Sequence, residues 1–173
     1  MLVVIASIVV GCGDKKQESP VNDATKPSPA KTDHGTIGVS LLTMTNPFFK
    51  VMGDSMETTA KAAGFTVSMT AGEMDPAKQK DQVNDFIVKK VKAIILSPVD
   101  SKSIGTSIIE ANKAGIPVFT ADIGCLDANA KVVSHVATDN YGGGKLAGEA
   151  LAEAVGETAE VAIITHPEVE SVI

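Results

Sequence analysis

Thr36–Leu42 reads TIGVSLL, Asn46–Pro47 follows, and Phe48–Ala63 runs on to Gly64 and a second apolar stretch, Phe65–Met69 (FTVSM). This segment decides the fold. TIGVSLL reads as a strand, and Phe49, Met52, Met56, Ala60 and Ala63 recur at the spacing that lines one face of a helix. Asn46 supplies a side-chain cap, and Pro47 suits the first helical position, where no N–H partner is lost. Gly64 closes the helix where the chain needs a left-handed residue.

The same unit recurs downstream. Asp75-Pro76 repeats the cap, and Pro76–Lys90 reads as a helix with Val83, Phe86 and Ile87 inward. Ala93–Leu96 (AIIL) is a continuous apolar run, as expected of a central parallel strand covered on both faces. Ser101–Ala114 reads as a helix ended by Gly115, with Pro117 just beyond. Val118–Thr120, Val132–Val136 and Val161–Thr165 read as further strands, with a fourth helix over about Tyr141–Val155. Strand, capped turn, helix and strand in succession predict an α/β fold, a doubly wound parallel sheet.

Composition agrees with a folded chain. Of 173 residues, 44% are hydrophobic and 21% charged, enough to build a core. The net charge of -6 and the lack of any basic run argue against a nucleic-acid partner. Cys12 and Cys125 are too few for a disulfide framework, and Cys125 reads as a small buried or half-buried filler.

The amino-terminal part is of another kind. Met1–Gly11 (MLVVIASIVVG) is apolar and too short to span a bilayer, so residues 1–11 read as a secretory signal peptide lacking a basic start. Val9-Val10-Gly11-Cys12 resembles a bacterial lipobox, which makes Cys12 the expected lipidation site. Residues 12–35 are rich in proline and polar side chains and read as a flexible tether. The protein is expected at the cell surface or in the periplasm, held by a lipid anchor alone.

Ligands of open α/β sheets bind at the carboxyl ends of the strands. After the first strand stand Asn46, Phe48 and Phe49. Adjacent helical positions point about 100° apart, so one ring packs inward while the other is free to face a crevice. A ring beside an amide suits a ligand with C–H faces and a hydroxyl rim, such as a sugar. Ser97, after the third strand, either bonds ligand or satisfies a strand end, and Asp100 reads as the cap of the next helix. Asp122, after the fourth, has no evident helix to cap and is an acceptor for two hydroxyls. Asp139 and Asn140 contact ligand or cap the fourth helix, capping being the simpler reading.

Enzyme signatures find no support. The first strand is not followed by G-x-G-x-x-G, and Gly142-Gly143-Gly144-Lys145 lacks the Ser or Thr and the earlier glycine of a phosphate loop. His34, His135 and His166 lack metal-ligand spacing, and His135 reads as a structural histidine within a strand. There is no G-x-S-x-G elbow. No cofactor is implied.

Four ordered motifs, N-P-F-F at 46–49, S-P-V-D-S at 97–101, A-G-I-P-V-F-T-A-D at 114–122 and S-H-V-A-T-D-N at 134–140, resemble the ribose-binding-protein type of periplasmic solute-binding protein. These are the sugar receptors of ABC importers. The resemblance implies two lobes closing on one monosaccharide, a pentose or hexose, which is delivered to permease and ATPase subunits. By position it gives Asn46 hydrogen bonds to sugar hydroxyls, Phe48 and Phe49 wall surface, and Asp122 a bond to two adjacent hydroxyls. Ser97 stands where the ribose receptors carry asparagine. Ile123 stands where they carry arginine, which leaves an apolar wall and a changed donor pattern. On this pattern residues 36–138 form the sugar-binding lobe and residues 139–173 begin the second, so the chain reads as truncated. A chemoreceptor component is the competing reading. The effector domain of a sugar-responsive regulator is a further one, but it needs a helix-turn-helix where the signal-like segment and tether stand.

Overall fold

The computed structural model describes residues 33–156 and 158–164. The apolar segment at residues 1–11, Cys12, the tether as far as residue 32 and residues 165–173 lie outside them. In chain order the elements are β1 (Thr36–Leu41), α1 (Pro47–Ala62), β2 (Thr66–Ala71), α2 (Pro76–Val88), β3 (Ala93–Leu96), α3 (Ile104–Lys113), β4 (Val118–Ala121), β5 (Val132–Val136) and α4 (Asn140–Val155). All five strands are parallel, in the order β2-β1-β3-β4-β5. This is the doubly wound arrangement expected from the alternating pattern, with its switch point between β1 and β3.

The helix boundaries follow from local chemistry. Asn46 Oδ1 accepts the Phe48 N–H at 2.9 Å, and Asp75 Oδ1 accepts those of Ala77 and Lys78 at 2.8 and 3.2 Å. Each cap satisfies N–H groups that a first turn leaves without a partner. At the other ends α1, α2 and α3 stop in the same way. Phe65 N–H reaches Ala60 O, Val91 N–H reaches Phe86 O, and Ile116 N–H reaches Ala111 O. Gly64 and Gly115 take the left-handed position in two of these stops, and Lys90, at φ 52°, takes it in α2. Helix α3 starts at Ile104, three residues later than its sequence pattern predicts. Asp100 Oδ1 holds the N–H groups of Lys102 and Ser103 at 3.1 and 2.6 Å, which keeps residues 101–103 as a separate turn.

Two apolar cores flank the sheet. On one face Val83 and Phe86 of α2 and Ile104 and Ile108 of α3 pack on Ile94, Leu96 and Val118. On the other, Phe49 of α1 packs with Val39, Leu41, Ala71 and Ile123. Alternate residues of β1 serve the two faces, as the period of a strand requires. Gly38 is one of them, because a methyl group there would sit 2.6 Å from Phe86 Cγ. Burying each large apolar side chain contributes about 1.5–3 kcal/mol.

The expected strand at Val161–Thr165 does not form over its described residues, 161–164. A strand needs a partner for its N–H and C=O groups, and none of the described strands pairs with it. Ile163 and Ile164 are 82% and 97% exposed. Residues 33–35, which composition places in the tether, are held at the amino edge of the sheet. His34 N–H donates to Gly64 O at 2.9 Å, its ring lies 5.3 Å from that of Phe65, and Gly35 O accepts from Thr66 N–H.

Candidate functional site

The carboxyl ends of β1, β3 and β4 adjoin in the sheet, so the loops carrying Asn46 and Phe48, Ser97, and Asp122 open on one edge. Strands two places apart stand about 10 Å from one another, a span suited to one sugar ring.

The aromatic pair divides as the helical spacing requires. Phe48 is 52% exposed and Phe49 is 4% exposed, with the rings edge to face at 5.1 Å. Phe49 therefore belongs to the core, and the expectation that both rings line the site is corrected: Phe48 alone has a free face. Asn46 spends its Oδ1 on the helix cap, which leaves its amide NH₂ as the available donor.

Asp122 sits on a strained turn. Its φ is 67°, and Ile123 N–H bonds back to Ala121 O at 2.8 Å, a tight three-residue turn of the left-handed kind. The Asp122 N–H is fixed by Val136 O at 2.8 Å. Burial pushes the Asp122 carboxyl above the usual range, with His135 pulling the other way.

The same turn sends Ile123 downward. It is 2% exposed and packs with Leu41, Phe49 and Val99. The apolar surface expected at this position is thus buried in the core beneath the edge. Ser97 is fully buried and its hydroxyl has no hydrogen-bond partner. Asp139 caps α4, with Oδ1 accepting the Gly142 N–H at 2.9 Å. Of its two readings, capping is the one the geometry displays. His135 Nδ1 lies 2.8 Å from Thr120 Oγ1, in keeping with a structural histidine.

Two sets of residues shape this edge without any sequence motif announcing them. Gln79, on α2 and 1% exposed, donates to Ser97 O at 3.0 Å and to Ser40 Oγ at 3.2 Å, and accepts the Val99 N–H at 2.8 Å. Ser40 in turn donates to Gln82, whose amide reaches Ala71 O at 2.7 Å. This buried network is tied into β1, β2 and β3 at once, so its polar groups fix the strand ends instead of going unpaired. Glu73 clamps the β1–α1 loop, accepting from Thr43 Oγ1 at 2.6 Å and from Met44 N–H at 3.1 Å. Those two bonds hold the Glu73 carboxyl below its ordinary range. Glu73 and Met74 both have positive φ, 54° and 65°. The only sequence signal for the Gln79 network was polarity at helix positions otherwise turned toward the core, and Glu73, in the loop between β2 and α2, carried none.

Among the described residues no cluster of three His, Cys, Asp or Glu side chains is arranged to hold a metal, and no helix is long and apolar enough to cross a membrane. Cys125 is half-buried, and burial pushes its thiol up, in line with a filler role.

The profile of the periplasmic binding protein domain matches residues 37–170. The chain is 36% identical over 126 residues to the ribose import binding protein RbsB of Haemophilus influenzae, covering 73% of this chain and 42% of that protein. It is 38% identical over 127 residues to the Bacillus subtilis protein of the same name, covering 73% and 41%. Among solved structures, an ABC transporter solute-binding protein of Actinobacillus succinogenes with bound D-allose superposes with a TM-score of 0.68 at 31% identity, covering 79% of this chain and 50% of that one. One from Agrobacterium vitis bound with α-D-tagatopyranose gives 0.71 at 27% identity, covering 79% and 49%. The chain thus spans about two fifths of the length of these curated relatives. With the parallel sheet, the switch-point edge and the profile match in agreement, the chain belongs to the periplasmic binding protein domain family.

Proposed function

We propose that this chain is the sugar-binding lobe of an exported, lipid-anchored receptor that takes up one monosaccharide, a pentose or hexose, and delivers it to the permease and ATPase subunits of an ABC importer. The observation that carries the reading is the edge formed by β1, β3 and β4, where Asp122 is held half-buried on its turn and Phe48 offers a free ring. A carboxylate accepts two hydroxyls at once, and a ring face covers the C–H side of a sugar. Relatives named for ribose and D-apiose and structures with bound D-allose and D-tagatose support the ligand class without fixing the sugar. Serine at 97 and isoleucine at 123 change the donors from those of a ribose receptor, so ribose is not singled out. Closure of a second lobe over this edge would add contacts made only in the shut state. The proposed anchor is Cys12, held to this lobe through the tether.

The test is a thermal-shift panel of pentoses, hexoses and polyols on the protein translated from the whole reading frame. A sugar at 1,000 times its dissociation constant stabilises by about 4 kcal/mol. One sugar is expected to give that shift, and Asp122→Ala to abolish it while the unliganded protein stays folded. A folded protein that no sugar shifts overturns the reading. Incorporation of labelled fatty acid, lost in Cys12→Ala, checks the anchor.

A further inference from the structure

We propose that the amino end of the sheet is a docking surface for an anionic phospholipid bilayer, a role separate from sugar binding. Helices of a parallel α/β sheet run against the strands, so the last turns of α2 and α3 share one side with the first residues of β3 and β5. There the fold gathers lysines that are scattered in the sequence. Lys89 and Lys90 follow α2, Lys92 precedes β3, Lys113 ends α3, and Lys131 precedes β5. All five are exposed, and none takes part in an ion pair among the described residues. Lys131 is placed beside the end of α3 by Asn112, which bonds both its N–H and its C=O, at 2.9 and 3.1 Å. The carboxylates of these two helices nearest that end, Asp85 and Glu110, lie before the final residues.

The patch is amphipathic as well as basic. Val88 stands 80% exposed beside Lys89. Between the ends of α2 and α3 lies a groove of about 460 Å³, with Ile87, Val91 and Ile116 among its lining and Lys90 and Lys92 at its sides. Exposed lysines beside the exposed Val88 and a groove of mixed polar and apolar lining match a surface that offers phosphates above acyl chains.

The rest of the charge orients the molecule. Asp33, whose carboxylate accepts the Gly35 N–H, is the acidic group beside Lys92, whereas Glu73, Asp75, Asp100, Asp122 and Asp139 lie at the opposite, carboxyl ends of the strands and outnumber Lys50, Lys78 and Lys102 there. A negative surface therefore favours the lysine end over the other. The chain also joins the fold at the lysine end: Gly35 lies against the Lys92 side chain, and Lys92 N–H donates to Thr36 O at 2.7 Å. The residues between Cys12 and Asp33 reach at most about 75 Å even when fully extended. An anchor at Cys12 would keep the patch near the bilayer, where weak contacts suffice.

The experiment measures vesicle partition of the full chain carrying Cys12→Ser, so that no lipid is attached. Binding to vesicles with about 30% phosphatidylglycerol is divided by binding to phosphatidylcholine alone, a ratio that cancels what the apolar residues 1–11 contribute. Each lysine near such a surface is worth about fivefold. The expected ratio is at least about tenfold at about 50 mM salt, falling toward one at about 500 mM. Lys90→Glu/Lys92→Glu/Lys113→Glu is expected to bring it to one. Lys50→Glu/Lys78→Glu/Lys102→Glu, with the same charge change at the other end, is expected to keep most of it. A wild-type ratio of one, equal loss in both triple variants, or equally tight binding to soluble polyaspartate overturns the proposal. Sugar binding enters none of these readouts.

Discussion

Helices α2 and α4 make an instructive pair. Helix α2 is the more polar, with Lys78, Gln79, Lys80 and Gln82 in its first two turns, yet it buries Gln79, Val83 and Phe86. Helix α4 carries Leu146, Leu151 and Val155 and buries no residue. The strands beside them differ likewise: β1 has neighbours on both sides and is buried along most of its length, whereas β5 is an edge strand with Val133 and Val136 at 62% and 70% exposure. Amphipathic pattern makes a helix ready to pack, and only an opposing surface turns that readiness into stability. Among the described residues α2 has such a surface in β1 and α3, and α4 has none of comparable size.

The largest expected effect therefore lies under α2. Phe86→Ala should cost about 3–5 kcal/mol in denaturant unfolding, because the ring fills the space over Gly38 and its neighbours cannot fully collapse into the void. A loss below 1 kcal/mol would erase the distinction between the two helices. Next comes Gly38→Ala, which forces a methyl group into the same ring and should cost about 1–3 kcal/mol. Adding Phe86→Leu to it should recover part of that loss, and additive costs would show that the two positions are not coupled.

The seam between the regions is Asp122, whose N–H bonds to Val136 of β5. Its carboxyl is raised by burial in the folded state. A raised carboxyl contributes stability below the unfolded pKa, and that contribution is lost as pH rises through the folded value. Asp122→Asn should accordingly raise the melting temperature at pH 7 relative to wild type more than it does at pH 3. An equal shift at both pH values would assign the effect to backbone preference at positive φ. The smallest effect belongs to α4, where Leu151→Ala, at a position 45% exposed, should change stability by no more than about 0.5 kcal/mol.

These contrasts also explain what could be read from sequence. Strands β1 to β4 and their helices were legible because each carries a local signature: a cap at Asn46 or Asp75, a stop at Gly64 or Gly115, an apolar run at AIIL. The split between Phe48 and Phe49 followed from helical geometry alone. The Glu73 clamp and the Gln79 network were not legible, since they join residues 11 to 42 positions apart that only the fold brings together. The burial of Ile123 was not legible because its direction depends on the turn at Asp122, and an aspartate at positive φ leaves no mark in a sequence. Val161–Ile164 has strand composition, but composition names no partner.

The strand order has a consequence in time. Of the described strands β1 is synthesised first and its neighbour β2 is complete at Ala71, but its other neighbour is β3, which is complete only at Leu96. From Leu41 to Leu96 is 55 residues, which at 5–20 residues per second takes about 3 to 11 seconds. Throughout that interval β1, later buried along most of its length, carries one open row of N–H and C=O groups, a template for any strand that arrives before its own.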